Sequence, residues 1–231
     1  MCRMFGVVAA EPIAPRELLR DSPRSLRALS REHPDGWGVA IHTANEWIVH
    51  RSTSCAADCS RFGELAEGVA TKLLVAHIRQ KTVGATALAN THPFRRGAFV
   101  FAHNGTIKDV TLLDAMSSPE RLAQIEGDTD SERLFAFVMT HIDAAGDVDR
   151  GVTKAVHALH ALGEVGSATF LLSCGSRLYA HRLGRTLYVS LRAGAVVIAS
   201  EQLTTEAWHE LPERSLVVVD HAGAPPRHLA A

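Results

Sequence analysis

Cysteine at position 2 is the residue in this chain with the most chemistry to offer. It sits in Met1-Cys2-Arg3-Met4-Phe5-Gly6-Val7-Val8-Ala9, directly behind the initiator Met and ahead of an apolar, β-prone run. Loss of Met1 would leave a free cysteine amino terminus. That terminus would carry a thiol, which reacts as its thiolate, and an α-amino group with a reference pKa of about 7.7 to 8.0. It would be a nucleophile with its own base, held by the strand behind it. Four further stretches cluster groups that bind or polarise: His33-Pro34-Asp35-Gly36-Trp37-Gly38, His77-Ile78-Arg79-Gln80-Lys81-Thr82-Val83-Gly84, Phe101-Ala102-His103-Asn104-Gly105-Thr106 and Gly127-Asp128-Thr129-Asp130-Ser131-Glu132. Each has an ordinary structural explanation when taken alone. Cys2 reads as a buried thiol in a first strand, Arg79 as a strand-end charge, Asn104-Gly105 as a tight turn and the acidic cluster as a helix cap.

The elements that must position these groups follow from periodicity. A strand is expected after Cys2. Apolar residues at Leu18, Leu19, Leu26 and Leu29 mark two short helical pieces divided by Pro23, since proline cannot continue a helix interior. The Asp35-Gly36-Trp37-Gly38 turn leads into a strand, and Ala44-Asn45 reads as a hairpin bend. Cys59 to Val69 has helical spacing, and Lys72 to Arg79 is a mostly apolar strand suited to a covered sheet. Gln80 to Arg96 reads as a polar loop. A strand over Ala98–His103 is expected to stop at Asn104-Gly105, a pair suited to a tight turn.

Short helical segments over Leu112–Ile125 precede a firmer helix over Asp130–Ile142, with Asp128, Thr129 and Ser131 offering capping oxygens. Another helix runs from about Val148 to Leu162. Five strands then follow between glycine-containing turns (Ala168–Ser173, Arg177–Leu183, Thr186–Leu191, Ala195–Ser200 and Leu216–Asp220), at spacings that suggest antiparallel pairing. Without a linker or repeat, residues 1–231 read as a single α+β domain, antiparallel strands inside and helices outside.

Composition narrows the function classes. Lys+Arg number 24 against 25 Asp+Glu, so the net charge of -1 gives no electrostatic reason to expect nucleic acid or an anionic membrane as partner. No apolar run approaches the roughly 20 residues of a membrane span, and Glu11, Arg16, Glu17 and Arg20 stand where a signal peptide would need an apolar core. The expected location is the cytoplasm. Cys55 and Cys59 are one residue too far apart for a Cys-x-x-Cys pair and lack a second pair, so no metal site is expected.

Cys2 behind the initiator Met, His-x-Arg-x-x-Thr at 77–82, His103-Asn104-Gly105 and Thr129-Asp130-Ser131-Glu132, in this order, resemble the class II glutamine amidotransferases of the N-terminal nucleophile hydrolase superfamily. The motifs span Cys2 to Glu132, and the likeness weakens in the last third. The resemblance implies a four-layer αββα sandwich, two antiparallel sheets between helical layers. It implies Cys2 as nucleophile with its freed α-amino group as base, and an oxyanion hole from the Asn104 side chain and the Gly105 backbone N–H. It further implies Arg79, aided by the Thr82 hydroxyl, on the substrate α-carboxylate, and Asp130 on the α-ammonium. Asp128 falls one step before the Thr of the pattern and is read as a cap. No organic cofactor or metal is implied.

The chemistry so implied is hydrolysis of the γ-amide of glutamine through a γ-glutamyl thioester. Gln80 and Val83 depart from the aromatic residue and the His that better-known members often carry there. Larger members have a synthase domain that uses the ammonia, whereas this chain ends just after its last expected strand, so a separate ammonia-accepting synthase chain is one expected partner. The Met-Cys-Arg start, the Asp-Gly-Trp-Gly loop and Ala199-Ser200-Glu201 are similar to a stand-alone subgroup that includes the γ-glutamyl hydrolase of ergothioneine biosynthesis. A γ-glutamyl conjugate hydrolase is therefore the first alternative, and a non-catalytic glutamine- or glutamate-binding subunit the second. Trp37 is read either as lining the outer pocket or as a core aromatic, and the oligomeric state is left open.

Overall fold

A computed structural model describes residues 2–44, 46–220 and 224–230. Met1 and Asn45, half of the expected hairpin bend, lie outside the described residues. In chain order the elements are β1 (Arg3–Ile13), α1 (Leu26–Leu29), β2 (Trp37–His42), β3 (Trp47–Ser52), α2 (Ser60–Gly68), β4 (Thr71–Ile78), β5 (Phe94–Arg96) and β6 (Phe99–Ile107). Then come α3 (Val110–Ala115), α4 (Pro119–Leu122), α5 (Asp130–Ala145), α6 (Val148–Ala161), β7 (Gly166–Ser173), β8 (Arg177–His181), β9 (Tyr188–Arg192), β10 (Ala195–Ala199), β11 (His209–Glu210), β12 (Leu216–Asp220) and β13 (Arg227–Leu229).

The strands form two antiparallel sheets, β11-β9-β10-β1-β4-β2-β3 and β13-β12-β8-β7-β6-β5. Side-chain alternation then builds the layers. In β1, Phe5, Val7 and Ala9 pack under Leu18, Leu19, Leu26, Phe62 and Ala66 of the N-terminal helical segments. Met4 and Val8, of opposite parity, face Val100, Ala102, Leu171 and Leu178 of the second sheet. The far face of that sheet, with Phe101, Phe170 and Tyr179, is covered by Leu134, Val138, Val152 and Val156 of α5 and α6. The result is the expected αββα sandwich. No helix among the described residues is long and apolar enough to cross a membrane.

Two expectations are overturned. The loop read over Gln80–Arg96 ends in the short strand β5, which pairs with β6. β6 itself does not stop at Asn104-Gly105 but runs to Ile107, with Asn104 opposite Thr169 and Gly105 opposite Ala168 in β7. The reason is close approach. A Cβ on Gly105 would sit 2.1 Å from Ser167 O, and its φ of +153° is one L side chains rarely adopt. The glycine admits the neighbouring strand rather than making a turn.

The interior also contains histidines. The His77 and His92 rings lie 4.4 Å apart, tilted 37° to one another and both buried, and the ring nitrogens of His92 lack hydrogen-bond partners among the described residues. Burial, reinforced by neighbouring positive charge, pushes His77 down to about 3 and His92 well below its ordinary value. Burial likewise pushes His181 down to about 3, although its Nδ1 is hydrogen-bonded to Ala168 O at 2.9 Å.

These groups stay neutral in the fold while the unfolded chain binds protons below about pH 6.5. Stability is therefore complete above that pH and falls as pH drops toward 3, by up to about 1.4 kcal/mol per pH unit for each histidine. Thermal melts should show Tm falling between pH 7 and pH 5; a flat or rising Tm would contradict the assignment.

Candidate active site

The site assembles where β1 begins and β4 ends. β1 pairs antiparallel with β4, Arg3 opposite Ile78, which brings Cys2 beside Arg79 and Gln80. Cys2 shares the parity of Met4 and Val8, and Arg79 that of Leu73, Val75 and His77, so both continue the layer between the sheets. From the other sheet, Asn104 shares the parity of Val100 and Ala102, which face the same layer.

Cys2 Sγ lies 3.3 Å from both the N–H and the carbonyl oxygen of Gln80. The Asn104 side-chain amide donates to the Cys2 carbonyl at 3.1 Å. Burial pushes the Cys2 thiol up, with the Gln80 backbone hydrogen bond and the Arg79 charge pulling partly back. Gln80 itself is tied to His33, whose Nδ1 lies 3.2 Å from its Oε1. The thiol is thus fixed in direction but favours its protonated form, so a base must take the proton when it attacks.

Arg79 is buried, and its guanidinium donates to Val83 O at 2.9 Å and Ala85 O at 3.0 Å. It forms no ion pair with a described carboxylate. The segment after β4 therefore wraps the cation with neutral acceptors. That explains where the expected loop goes and gives Val83 a backbone role.

Asp130 opens α5. Its Oδ2 accepts from Ile107 N–H at 2.7 Å, tying the helix to the end of β6. His103, of opposite parity to Asn104, reaches the same helix end: Nδ1 lies 2.9 Å from Ser131 Oγ and Nε2 3.0 Å from Ser167 O. Since the carbonyl can only accept, Nε2 carries the proton.

Thr129 Oγ1 caps α5, accepting from Glu132 N–H at 3.4 Å. The expected cap at Asp128 is not there. Asp128 instead pairs with Asn90, accepting from Nδ2 at 2.5 Å and donating its own N–H to Oδ1 at 3.0 Å. Trp37 is a core residue, buried and edge-on to Phe62 at 5.0 Å.

A cavity of about 200 Å³ opens on Cys2. Asn104, Gly105, Thr106 and Thr82 form part of its wall, while Arg79 and Asp130 do not line it. The rest comes from Arg3, next to Cys2, and from segments that sequence reasoning did not place there, Gly184-Arg185-Thr186 and Ser200-Glu201. Ala199-Ser200-Glu201 was visible as a motif, and the structure shows its physical task. Ser200 N–H donates to Met4 O at 2.9 Å, Met4 N–H donates to Ser200 Oγ at 3.0 Å, and Glu201 pairs with Arg3 at 2.8 Å. Together these pin the residues just after Cys2. Arg185 lies in the turn between β8 and β9, where no local pattern marks it. Among the described residues no group of three or more His, Cys, Asp or Glu could hold a metal ion.

The family model for class II glutamine amidotransferases matches residues 1–195. A gamma-glutamyl-hercynylcysteine sulfoxide hydrolase of Mycobacterium tuberculosis is 31% identical over 96% of this chain and 94% of its own length. A glutamine--fructose-6-phosphate aminotransferase of Pseudomonas aeruginosa is also 31% identical, over 88% of this chain but 32% of its own length. Among solved structures, a glutamine aminotransferase class-II domain protein from Silicibacter pomeroyi superposes over the full length of both chains with a TM-score of 0.71 at 21% identity. The glutamine PRPP amidotransferase of B. subtilis superposes over 98% of this chain and 49% of its own, with a TM-score of 0.73 at 19% identity. Those likenesses agree with the two-sheet architecture, and with the family match over most of the chain they identify this protein as an enzyme of the class II glutamine amidotransferases.

Proposed function

We propose that this enzyme, acting as a single domain over residues 1–231 in the cytoplasm, hydrolyses γ-glutamyl amides through a thioester on Cys2. The observation that carries the reading is that Cys2, its Sγ held by the Gln80 backbone and its carbonyl by the Asn104 amide, meets Asn104 and Gly105 at the wall of one cavity.

With Met1 removed, the free α-amino group accepts the thiol proton and Sγ attacks the γ-carbonyl carbon. Negative charge develops on the carbonyl oxygen, where the second Asn104 N–H and the Gly105 N–H stabilise it. The C–N bond breaks and the departing nitrogen takes the proton, releasing ammonia or an amine. Water then attacks the thioester, giving glutamate and the free thiol. No cofactor takes part.

Arg79 meets the substrate α-carboxylate. A buried guanidinium with only neutral acceptors carries an unmet desolvation cost, which a carboxylate in bidentate contact offsets. Thr82 adds a hydroxyl at the exposed rim. Asp130 keeps one oxygen on Ile107 N–H and faces the α-ammonium with the other.

Free glutamine is the simplest substrate, and its ammonia would pass to water or to a separate synthase chain. A second reading, hydrolysis of a larger γ-glutamyl conjugate, is favoured by the mycobacterial relative, which matches this chain along nearly its whole length. Glutamate release from glutamine and from a panel of γ-glutamyl amides tests both, with intact mass measured after treatment with diazo-oxo-norleucine. Release of glutamate with a single adduct is expected. Neither product nor adduct from a chain lacking Met1 would sink the mechanism, and preference for free glutamine over every larger amide would exclude the second reading.

A further inference from the structure

We propose that Arg185 and the rim around it form the subsite for the departing amine, and that this subsite selects amines bearing a carboxylate, as in γ-glutamyl-amino acids. The proposal rests on the acyl-transfer reading above and adds to it a residue that decides which amide is cleaved.

A carbonyl carbon placed at Cys2 Sγ has two arms. The glutamyl arm is assigned to Arg79 and Asp130. Of the cavity wall, Arg3, Gly184-Arg185-Thr186 and Ser200-Glu201 hold none of the groups assigned to that arm, so what reaches them from the reacting carbon is the leaving group.

The charges on this wall are unequal. Glu201 is already neutralised, paired with Arg3 at 2.8 Å and with Arg24 at 2.8 Å. Arg185 has no such partner. Its side chain forms no ion pair with any described residue, and its Nε is buried without a hydrogen bond.

The main chain carrying Arg185 is nevertheless firmly held. Arg185 N–H donates to Thr169 Oγ1 at 3.2 Å, and the same hydroxyl lies 3.1 Å from Arg185 O. Gly184 N–H donates to Glu213 Oε1 at 2.6 Å. A firmly mounted, half-buried guanidinium with an unused Nε donor and no counter-ion among the described residues is built to receive a planar anion. The cavity is smaller than the roughly 300–1,000 Å³ of pockets that enclose drug-sized ligands. Its size suits an amino-acid-sized leaving group whose far end emerges at the rim.

The test compares γ-glutamylglycine with γ-glutamylglycinamide, which differ only in the charge of the leaving group's terminal group, using the full chain with Met1 removed. The expected kcat/KM favours γ-glutamylglycine by about ten- to hundredfold, the range for a hydrogen bond to a charged group. In Arg185→Gln the ratio should fall to near one, and in Arg185→Lys an intermediate ratio should survive. A wild-type ratio near one, or the same ratio in Arg185→Gln, overturns the proposal; equal losses on both amides would place Arg185 on the glutamyl arm instead.

Calorimetry of both amides with Cys2→Ala separates this proposal from the catalytic one. A wild-type chain that hydrolyses neither amide, with Cys2→Ala still preferring γ-glutamylglycine through Arg185, defeats the thioester mechanism and leaves the subsite standing. Turnover of both amides with no binding preference defeats the subsite alone.

Discussion

Replacing Cys2 with alanine is expected to reduce γ-glutamyl amide hydrolysis by about 10⁶-fold, the scale on which loss of a nucleophile is felt in other acyl-transfer enzymes. The fold should tolerate the change, because the Sγ hydrogen bonds are to the Gln80 backbone alone among the described residues, so an unchanged Tm would assign the loss to chemistry. A chain made to keep a residue in front of Cys2 should be almost as inactive with its thiol intact. Burial raises the thiol pKa, so little thiolate stands ready near neutrality and attack depends on a base at Sγ. When residue 1 is retained, the Cys2 nitrogen is part of an amide and cannot accept a proton. Intact mass shows which fraction of a preparation has lost Met1, and activity should scale with that fraction. Full activity in a chain that retains Met1 would remove the α-amino group from the mechanism, and activity in Cys2→Ala would remove the thiol.

Much of this site was legible because strand parity and short motifs are local. The apolar run after Cys2 and the His77-Ile78-Arg79 strand end could be read one segment at a time, and antiparallel pairing of β1 with β4 then joins them. The Asn104-Gly105 pair was recognisable by its residues but not by its conformation. A turn and a close strand crossing both call for glycine, and only the position of Ser167 O distinguishes them. Asp128 went astray for a similar reason, since its carboxylate serves equally well as a helix cap or as a partner for Asn90, which approaches from a distant segment. Arg185 could not be found at all. A single arginine in a strand connection looks like a surface charge, and its place on the cavity that opens on Cys2 exists only once the sheets are packed. Ser200 and Glu201 stood out as letters, but their meaning lies in hydrogen bonds to Met4 and an ion pair to Arg3 at the opposite end of the chain.

Asn104→Ala is expected to lower kcat by about 10²–10³-fold, the usual loss for one oxyanion-hole donor, with a much smaller change in KM. The side chain has two tasks in this structure, and a pair of variants separates them. One amide hydrogen holds the Cys2 carbonyl at 3.1 Å; the other is free for the developing oxyanion, while Oδ1 is buried without a partner. Asn104→Asp nearly preserves the shape yet replaces the donor with an acceptor that is negative when ionised. If the side chain served only as a spacer beside Cys2, Asp would be the milder substitution. If it stabilises negative charge, Asp must be at least as damaging as Ala, because a carboxylate raises the energy of the oxyanion it faces. Single-turnover measurement of thioester formation locates the effect. The acylation step should slow in both variants by the same factor as kcat, whereas slowing confined to substrate binding would show that Asn104 merely shapes the pocket.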